Sequence, residues 1–319
     1  MIFSFTTALT AAYFSLLMNG VDSVLHNHPI IGIFAHPVHI FNTDNLKENK
    51  EDYQFIPASY VKYVEMAGGR VVPISFTATN KEIDHLLKNL NGFFFPGGEP
   101  SLPPSAQYLY DQIITLNKQG IYTPLWGTCL GLEWIVCAAN RNNSVLDTNF
   151  DSENLSSSNI FTNHIKSSQL YQSASSTILQ AISLKNITFN NHYKGITPST
   201  FYRISSLYES FHLLSTSYDR RQREYISSIE HKDLPIFAVQ WHPEKNSFEW
   251  SINVDGTDYE SINHSYEAVL VSQYLANVFV NACRKNSNHF MNRSEEESKL
   301  IYNYPVQHTN GDYVQVYYI

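Results

Sequence analysis

Cys129 stands between two glycines in Gly127-Thr128-Cys129-Leu130-Gly131, where an apolar, strand-like run gives way to a helix-like one. This spacing has the form of a nucleophile elbow with cysteine in place of serine. A strand that turns sharply into a helix holds its central residue in a strained backbone, and flanking glycines let the chains approach without a Cβ clash. The helix N-terminus beneath the sulfur favours thiolate, and the Leu130 amide is left to donate to an oxyanion. The competing reading is a small buried hydrophobe at a tight turn. A thiol nucleophile also needs a base. "VQWHPEK" supplies His242 at a strand end, with Glu244 two residues on to orient the imidazole. A histidine before proline is otherwise an ordinary loop residue, and the pairing with Cys129 is what singles it out. A second oxyanion donor is expected from the amides of "FFFPGGEP", at Gly97, Gly98 and Glu99. Without that context the glycine pair is an ordinary tight turn.

The elements needed to position these residues are legible as short apolar runs. "PIIGIFA" (29–35), "RVVPIS" (70–75), "GFFFPGG" (92–98) and "IYTPLWG" (121–127) read as strands, and "PIFAVQWHPEK" (235–245) reads as a strand ending in a polar loop. Residues 56–69, 80–92, 105–119 and 268–282 carry apolar side chains at helical spacing. Strands alternating with helices predict an α/β fold, a single-domain three-layer sandwich with a mostly parallel central sheet flanked by helices. Both glycine motifs fall at carboxyl ends of strands, where such sheets gather function. The Ser/Asn-rich stretch from Asn140 to about Leu184 reads as an excursion rather than a new domain.

The bulk numbers set limits. The chain has 319 residues with 43% hydrophobic and 16% charged, and its formal net charge of -8 argues against a sequence-independent nucleic-acid partner. Residues 1–18 are mostly apolar and lack acids and bases, so residues 1–23 read as a signal peptide, with a membrane anchor as the competing reading. No later stretch is apolar enough to span a bilayer. Sequons at Asn142, Asn154, Asn186, Asn263 and Asn292 fit secretory passage. Three cysteines, Cys129, Cys137 and Cys283, leave at least one thiol unpaired and exclude a disulfide scaffold. "HPVH" (36–39) lacks the further ligands that a metal site needs, so no metal and no cofactor are expected. The catalytic domain is expected over 24–290, with 291–319 as a C-terminal tail.

The blocks "ASYVKYVEMAGGRVVP" (58–73), "GFFFPGG", "PLWGTCLGLE" (124–133), "NNHYKGITPSTF" (190–201) and "VQWHPEK", in this order, resemble the gamma-glutamyl hydrolases. These are secreted and lysosomal cysteine peptidases of the class I glutamine-amidotransferase-like group. The resemblance runs from about Pro29 to about Phe290. It implies Cys129 as nucleophile, His242 as base and acid, Glu244 as third triad member and His192 as a further active-site histidine. By itself His192 reads as a loop residue. Glu133, one helical turn past Cys129, either shapes the pocket or simply complements the helix dipole. Glu99 departs from the uncharged residue expected after the glycine pair. The implied substrates are folyl and antifolate poly-γ-glutamates, and the implied assembly is a homodimer. "DRRQRE" (219–224) is the one candidate for a basic patch against such a tail, with a solvated charged turn as its bland reading. Two rivals stand: a glutamine amidotransferase-type glutaminase, and an inactive secreted relative that binds.

Overall fold

Runs of consecutively buried side chains, which suit a strand covered on both faces, supply the central sheet. In chain order the strands are β1 (Ile30–Phe34), β2 (His36–Pro37), β3 (Gln54–Pro57), β4 (Arg70–Ile74), β5 (Gly92–Phe95), β6 (Leu125–Thr128), β7 (Leu155–Ser157), β8 (Ile160–Phe161), β9 (Thr188–Asn190), β10 (Phe211–Tyr218), β11 (Glu224–His231), β12 (Ile236–Val239), β13 (Val306–His308) and β14 (Gln315–Tyr318). Among the described residues, the helices of eight residues or more are α1 (Ala58–Glu65), α2 (Asn80–Asn89), α3 (Pro104–Lys118), α4 (Leu130–Asn140), α5 (Ser176–Leu184) and α6 (Tyr266–Cys283). The structure, a computed structural model, describes residues 25–38, 53–309 and 311–319. The leader expected at 1–23 lies outside the described residues.

Eight strands form the main sheet in the order β4-β1-β5-β6-β12-β11-β10-β8. The first five are mutually parallel and the rest antiparallel. Alternation of side chains along each strand builds two cores. Ile30 and Phe34 of β1, with Phe93 and Phe95 of β5, face α2, α3 and α4. Ile31 and Ile33 of β1, with Phe94 of β5, face α1, α5 and α6. This is the three-layer sandwich. α2 shows how local sequence sets an element. Thr79 accepts from the Glu82 amide while Glu82 reaches back to the Thr79 amide, and Ile83, Leu86 and Leu87 then turn inward together.

The 140–184 excursion packs into the main sheet and both cores. Its strand β8 pairs with β10 at the sheet edge, and Val145, Leu170 and Tyr171 join the two cores. The tail behaves otherwise. Residues 291–319 do not stand apart from the domain: β13 and β14 complete a second sheet, β13-β14-β3-β2. Tyr318 pairs with Phe55 and Tyr317 with Ile56. Tyr313 and Val316 pack on Val38 and Phe55. The domain therefore continues past 290. The C-terminal tyrosines alternate as strand residues do, but their partner strand lies some two hundred and sixty positions upstream, which no local pattern reveals. Among the described residues no helix is long and apolar enough to cross a membrane.

Candidate active site

β6 and β12 are parallel neighbours, with Thr128 opposite Val239, so the chain leaves both at the same rim of the sheet. Cys129 follows β6 and caps α4 with φ 51 and ψ -108, a conformation that side chains avoid. Its amide donates to the Val239 carbonyl at 2.8 Å, tying the turn to the neighbouring strand. The flanking glycines are there for space. A Cβ on Gly127 would lie 2.7 Å from the Gly131 carbonyl group, and one on Gly131 would lie 2.0 Å from the Phe95 carbonyl oxygen.

β12 delivers His242. Its Nδ1 lies 2.7 Å from Oε1 of Glu244, and both side chains are buried. Facing a carboxylate, Nδ1 carries the proton, which leaves Nε2 for the sulfur. The point where a Gly97 Cβ would sit is 2.6 Å from His242 Cε1 and 3.3 Å from Cys129 Cβ, so imidazole and thiol meet across this glycine. Burial works against the charged imidazole most strongly. The Cys129 thiolate and the Glu244 carboxylate together outweigh it and hold His242 up, at about 10.

Leu130 opens α4, so its amide has no partner within the helix. The two glycines that follow β5 have different surroundings. The Gly97 amide donates to the Tyr60 hydroxyl at 2.8 Å and is thereby occupied. Gly98 lines the cleft beside Cys129. His192, Glu133, Glu99, Glu153, Lys194 and Lys245 also border the cleft.

His192 is held by its Nδ1, 2.6 Å from the Lys194 carbonyl oxygen, which requires Nδ1 to donate. Its Nε2 is then a buried lone pair with no partner among the described residues. Burial pushes this histidine down to about 4, so it serves as a neutral acceptor. Glu133 is buried, and burial raises it to about 7. Cys137 and Cys283 are buried free thiols, and burial pushes Cys137 up to about 12 and Cys283 well above its ordinary value. The arginines of "DRRQRE" are engaged in structure. Arg220 reaches the Asp151 carboxylate and the Asn154 carbonyl, and Arg223 reaches the Thr148 carbonyl. They pin the 147–154 loop. Among the described residues no group of three or more His, Cys, Asp or Glu is disposed to hold a metal; His39 lies outside them.

Comparison with known proteins now bears on this geometry. Residues 53–254 match the family described as glutamine amidotransferase class-I. The chain is 38% identical over 293 residues to gamma-glutamyl hydrolase B of Dictyostelium discoideum, covering 90% of this chain and 81% of that one. It is 36% identical over 288 residues to gamma-glutamyl hydrolase of Homo sapiens, covering 89% and 86%. It is 31% identical over 290 residues to gamma-glutamyl hydrolase 1 of Arabidopsis thaliana, covering 89% and 79%. The chain belongs to the gamma-glutamyl hydrolase family.

This member of the family places several residues in its site that the sequence reading did not single out. Gln240 is fully buried, with Nε2 3.9 Å from the Cys129 sulfur and 3.3 Å from Glu133 Oε1. A signal existed: Gln240 lies two residues before His242 at a strand end and so shares its face. Tyr60 reads only as an apolar position of α1, yet its hydroxyl is 3.3 Å from His242 Nδ1. Lys245 is buried with its ammonium 2.7 and 2.5 Å from the Glu260 carboxylate oxygens and 3.2 Å from the Asp312 carbonyl. Asp312 and Tyr313 bring the C-terminal segment into the cleft wall.

Proposed function

We propose that this protein hydrolyses the γ-glutamyl bonds of folyl and antifolate poly-γ-glutamates through a thioester on Cys129. The observation that carries the reading is the strained Cys129 at the head of α4, sharing one cleft with the His242–Glu244 pair. The thiolate attacks the γ-carbonyl carbon. The oxyanion takes hydrogen bonds from the Leu130 and Gly98 amides. Nε2 of His242 gives its proton to the leaving amine, and the C–N bond breaks. Water then attacks the thioester, with His242 as base, and releases the γ-carboxylate and the thiol. Glu244 keeps the imidazole in the required tautomer. His192 offers its lone pair to a substrate N–H or to the water.

Lys194 supports an anionic substrate. It borders the cleft and pairs with no carboxylate among the described residues, whereas Lys245 is neutralised by Glu260. Its ammonium suits the α-carboxylate that each γ-linked glutamate retains. The leader-like residues 1–23 and the sequons support a lysosomal or secreted protein, and the family resemblance supports a homodimer, which sedimentation would decide.

The test is incubation with a folate pentaglutamate and weighing of the products by mass. Shortened glutamyl chains are expected, and an unchanged substrate would end this reading. The class I amidotransferase match favours one alternative, a glutaminase. It predicts partner-dependent release of ammonia from glutamine with no cleavage of the pentaglutamate. A purely binding protein predicts that Cys129→Ala changes nothing measurable.

A further inference from the structure

His36 lies beyond the catalytic trio, on the edge strand β2, and is 1% exposed. Its Nε2 is 2.9 Å from the carbonyl oxygen of Gly97. A carbonyl only accepts, so Nε2 carries the proton and donates. Nδ1 is then a bare lone pair, and it is buried with no partner among the described residues. The ring is packed edge-on against Trp134 and tilted against Phe55, with centroids 5.7 and 6.0 Å away. It has little freedom to turn. A Cβ on Gly98 would fall 2.8 Å from Nε2, so the glycine is what allows this approach.

The Gly97 carbonyl and the Gly98 amide belong to one peptide unit. In a trans peptide the C=O and the following N–H point in opposite directions across a rigid plane. Holding the carbonyl toward His36 therefore aims the Gly98 N–H away from it, on the side where Gly98 borders the cleft with Cys129. The preceding amide is fixed as well, by Tyr60. The glycine pair has low intrinsic barriers to rotation, so without these two clamps the plane is free to flip and present a carbonyl oxygen to the developing negative charge.

We infer that His36 is a positioning residue, which locks the Gly97–Gly98 peptide plane so that the Gly98 amide faces the oxyanion of the tetrahedral intermediate. Its burial keeps it neutral, at about 4, so the clamp does not switch with working pH. The small β13-β14-β3-β2 sheet anchors the clamp, because His36 pairs with Phe55 and Phe55 with Tyr318. The inference rests on the hydrolase reading above and adds one residue to its machinery.

The experiment compares His36→Phe, which keeps a packed ring but no donor, with His36→Gln, which keeps a side-chain N–H at similar reach. Four quantities are read on a γ-glutamyl peptide: kcat, KM, the inhibition constant of the matching γ-aldehyde, and the rate of Cys129 alkylation by iodoacetamide. His36→Phe is expected to lower kcat about 10- to 100-fold with KM changed less than about threefold. Aldehyde affinity should fall in step with kcat/KM, because the hemithioacetal uses the same hole. Alkylation should stay within about twofold of wild type, showing the reactivity of the Cys129 sulfur intact. His36→Gln should recover most of the loss. A His36→Phe protein with wild-type kcat overturns the inference while leaving the hydrolase reading standing. So does a kcat loss matched by slower alkylation and not relieved in His36→Gln. A wild-type protein that alkylates normally but cleaves no γ-glutamyl bond sinks the hydrolase reading instead.

Discussion

Gly131 and Phe95 touch so closely that no other residue fits: a Cβ on Gly131 would stand 2.0 Å from the Phe95 carbonyl oxygen and 2.8 Å from its carbonyl carbon. The first turn of α4 thus rests directly on the end of β5, the strand that continues into Gly97 and Gly98. This contact sets the height of the Cys129 sulfur above the sheet. Gly131→Ala is expected to cost about 2 to 4 kcal/mol in urea unfolding, because backbone rather than a flexible side chain must move. It should also remove most activity. A variant with unchanged stability would show that α4 can lift without penalty.

Cys129 carries strain as well as chemistry. Cys129→Ala is expected to abolish turnover while keeping stability within about 1 to 2 kcal/mol of wild type. The φ of 51 remains unfavourable for alanine. Cys129→Gly should therefore be more stable than Cys129→Ala, by about 1 kcal/mol. Chemical denaturation of the two inactive variants side by side reads this difference directly.

For His242→Ala, kcat should fall on the order of 10³-fold or more. Glu244→Gln acts through the imidazole. Glu244 is one of the two anions that raise His242. Removing it lets the imidazolium lose its proton at lower pH, so the alkaline limb of kcat/KM should move to lower pH. A limb in the wild-type position would separate Glu244 from the base.

Glu133 predicts how binding responds to pH. Burial raises this carboxyl to about 7, so it is neutral on the acid side and charged on the alkaline side. A polyanionic substrate meets one more negative charge as pH rises through that value. KM for a γ-glutamyl oligomer is expected to climb there in wild type and to stay flat in Glu133→Gln. Equal slopes in both proteins would exclude Glu133 as the origin.

Glu249 predicts the pH dependence of stability. Its Oε2 accepts from the Val314 amide at 2.6 Å, and burial raises it to about 7. In the unfolded chain a glutamate titrates near about 4.3. The folded protein holds this proton more tightly, so the contribution is full below the unfolded pKa and is lost as pH rises through about 7. Glu249→Gln keeps an acceptor for Val314 and removes the charge. It should narrow the difference in Tm between about pH 5 and about pH 8, with a gain of roughly 1 to 3 kcal/mol at the upper end.

The local elements were legible because their causes are local. The buried runs of β1 and β5, the capping box of α2 and the glycine spacing around Cys129 all lie within a few residues. His242 and Glu244 were singled out by their pairing with the Cys129 motif, since a histidine before proline is by itself an ordinary loop residue. Tyr60, His36 and Tyr313 were not, for one reason: each works through a partner far along the chain. Tyr60 meets Gly97 and His242, His36 meets Gly97, and Tyr313 packs with Val38 and Phe55. Nothing in the types or spacing around a buried tyrosine says which distant amide its hydroxyl will meet. The partner of the Gly97 amide was hidden in the same way, since Tyr60 comes from another layer.

Two pairings described above, β6 with β12 and β3 with β14, join segments more than one hundred and more than two hundred and fifty residues apart. Long closures of this kind are slow, because the chain loses its freedom before the contact rewards it. Cys129 and His242 sit at the end of one such closure, and the strand carrying His36 is secured by the other. Upon dilution from denaturant, helical signal should therefore return well before enzyme turnover does.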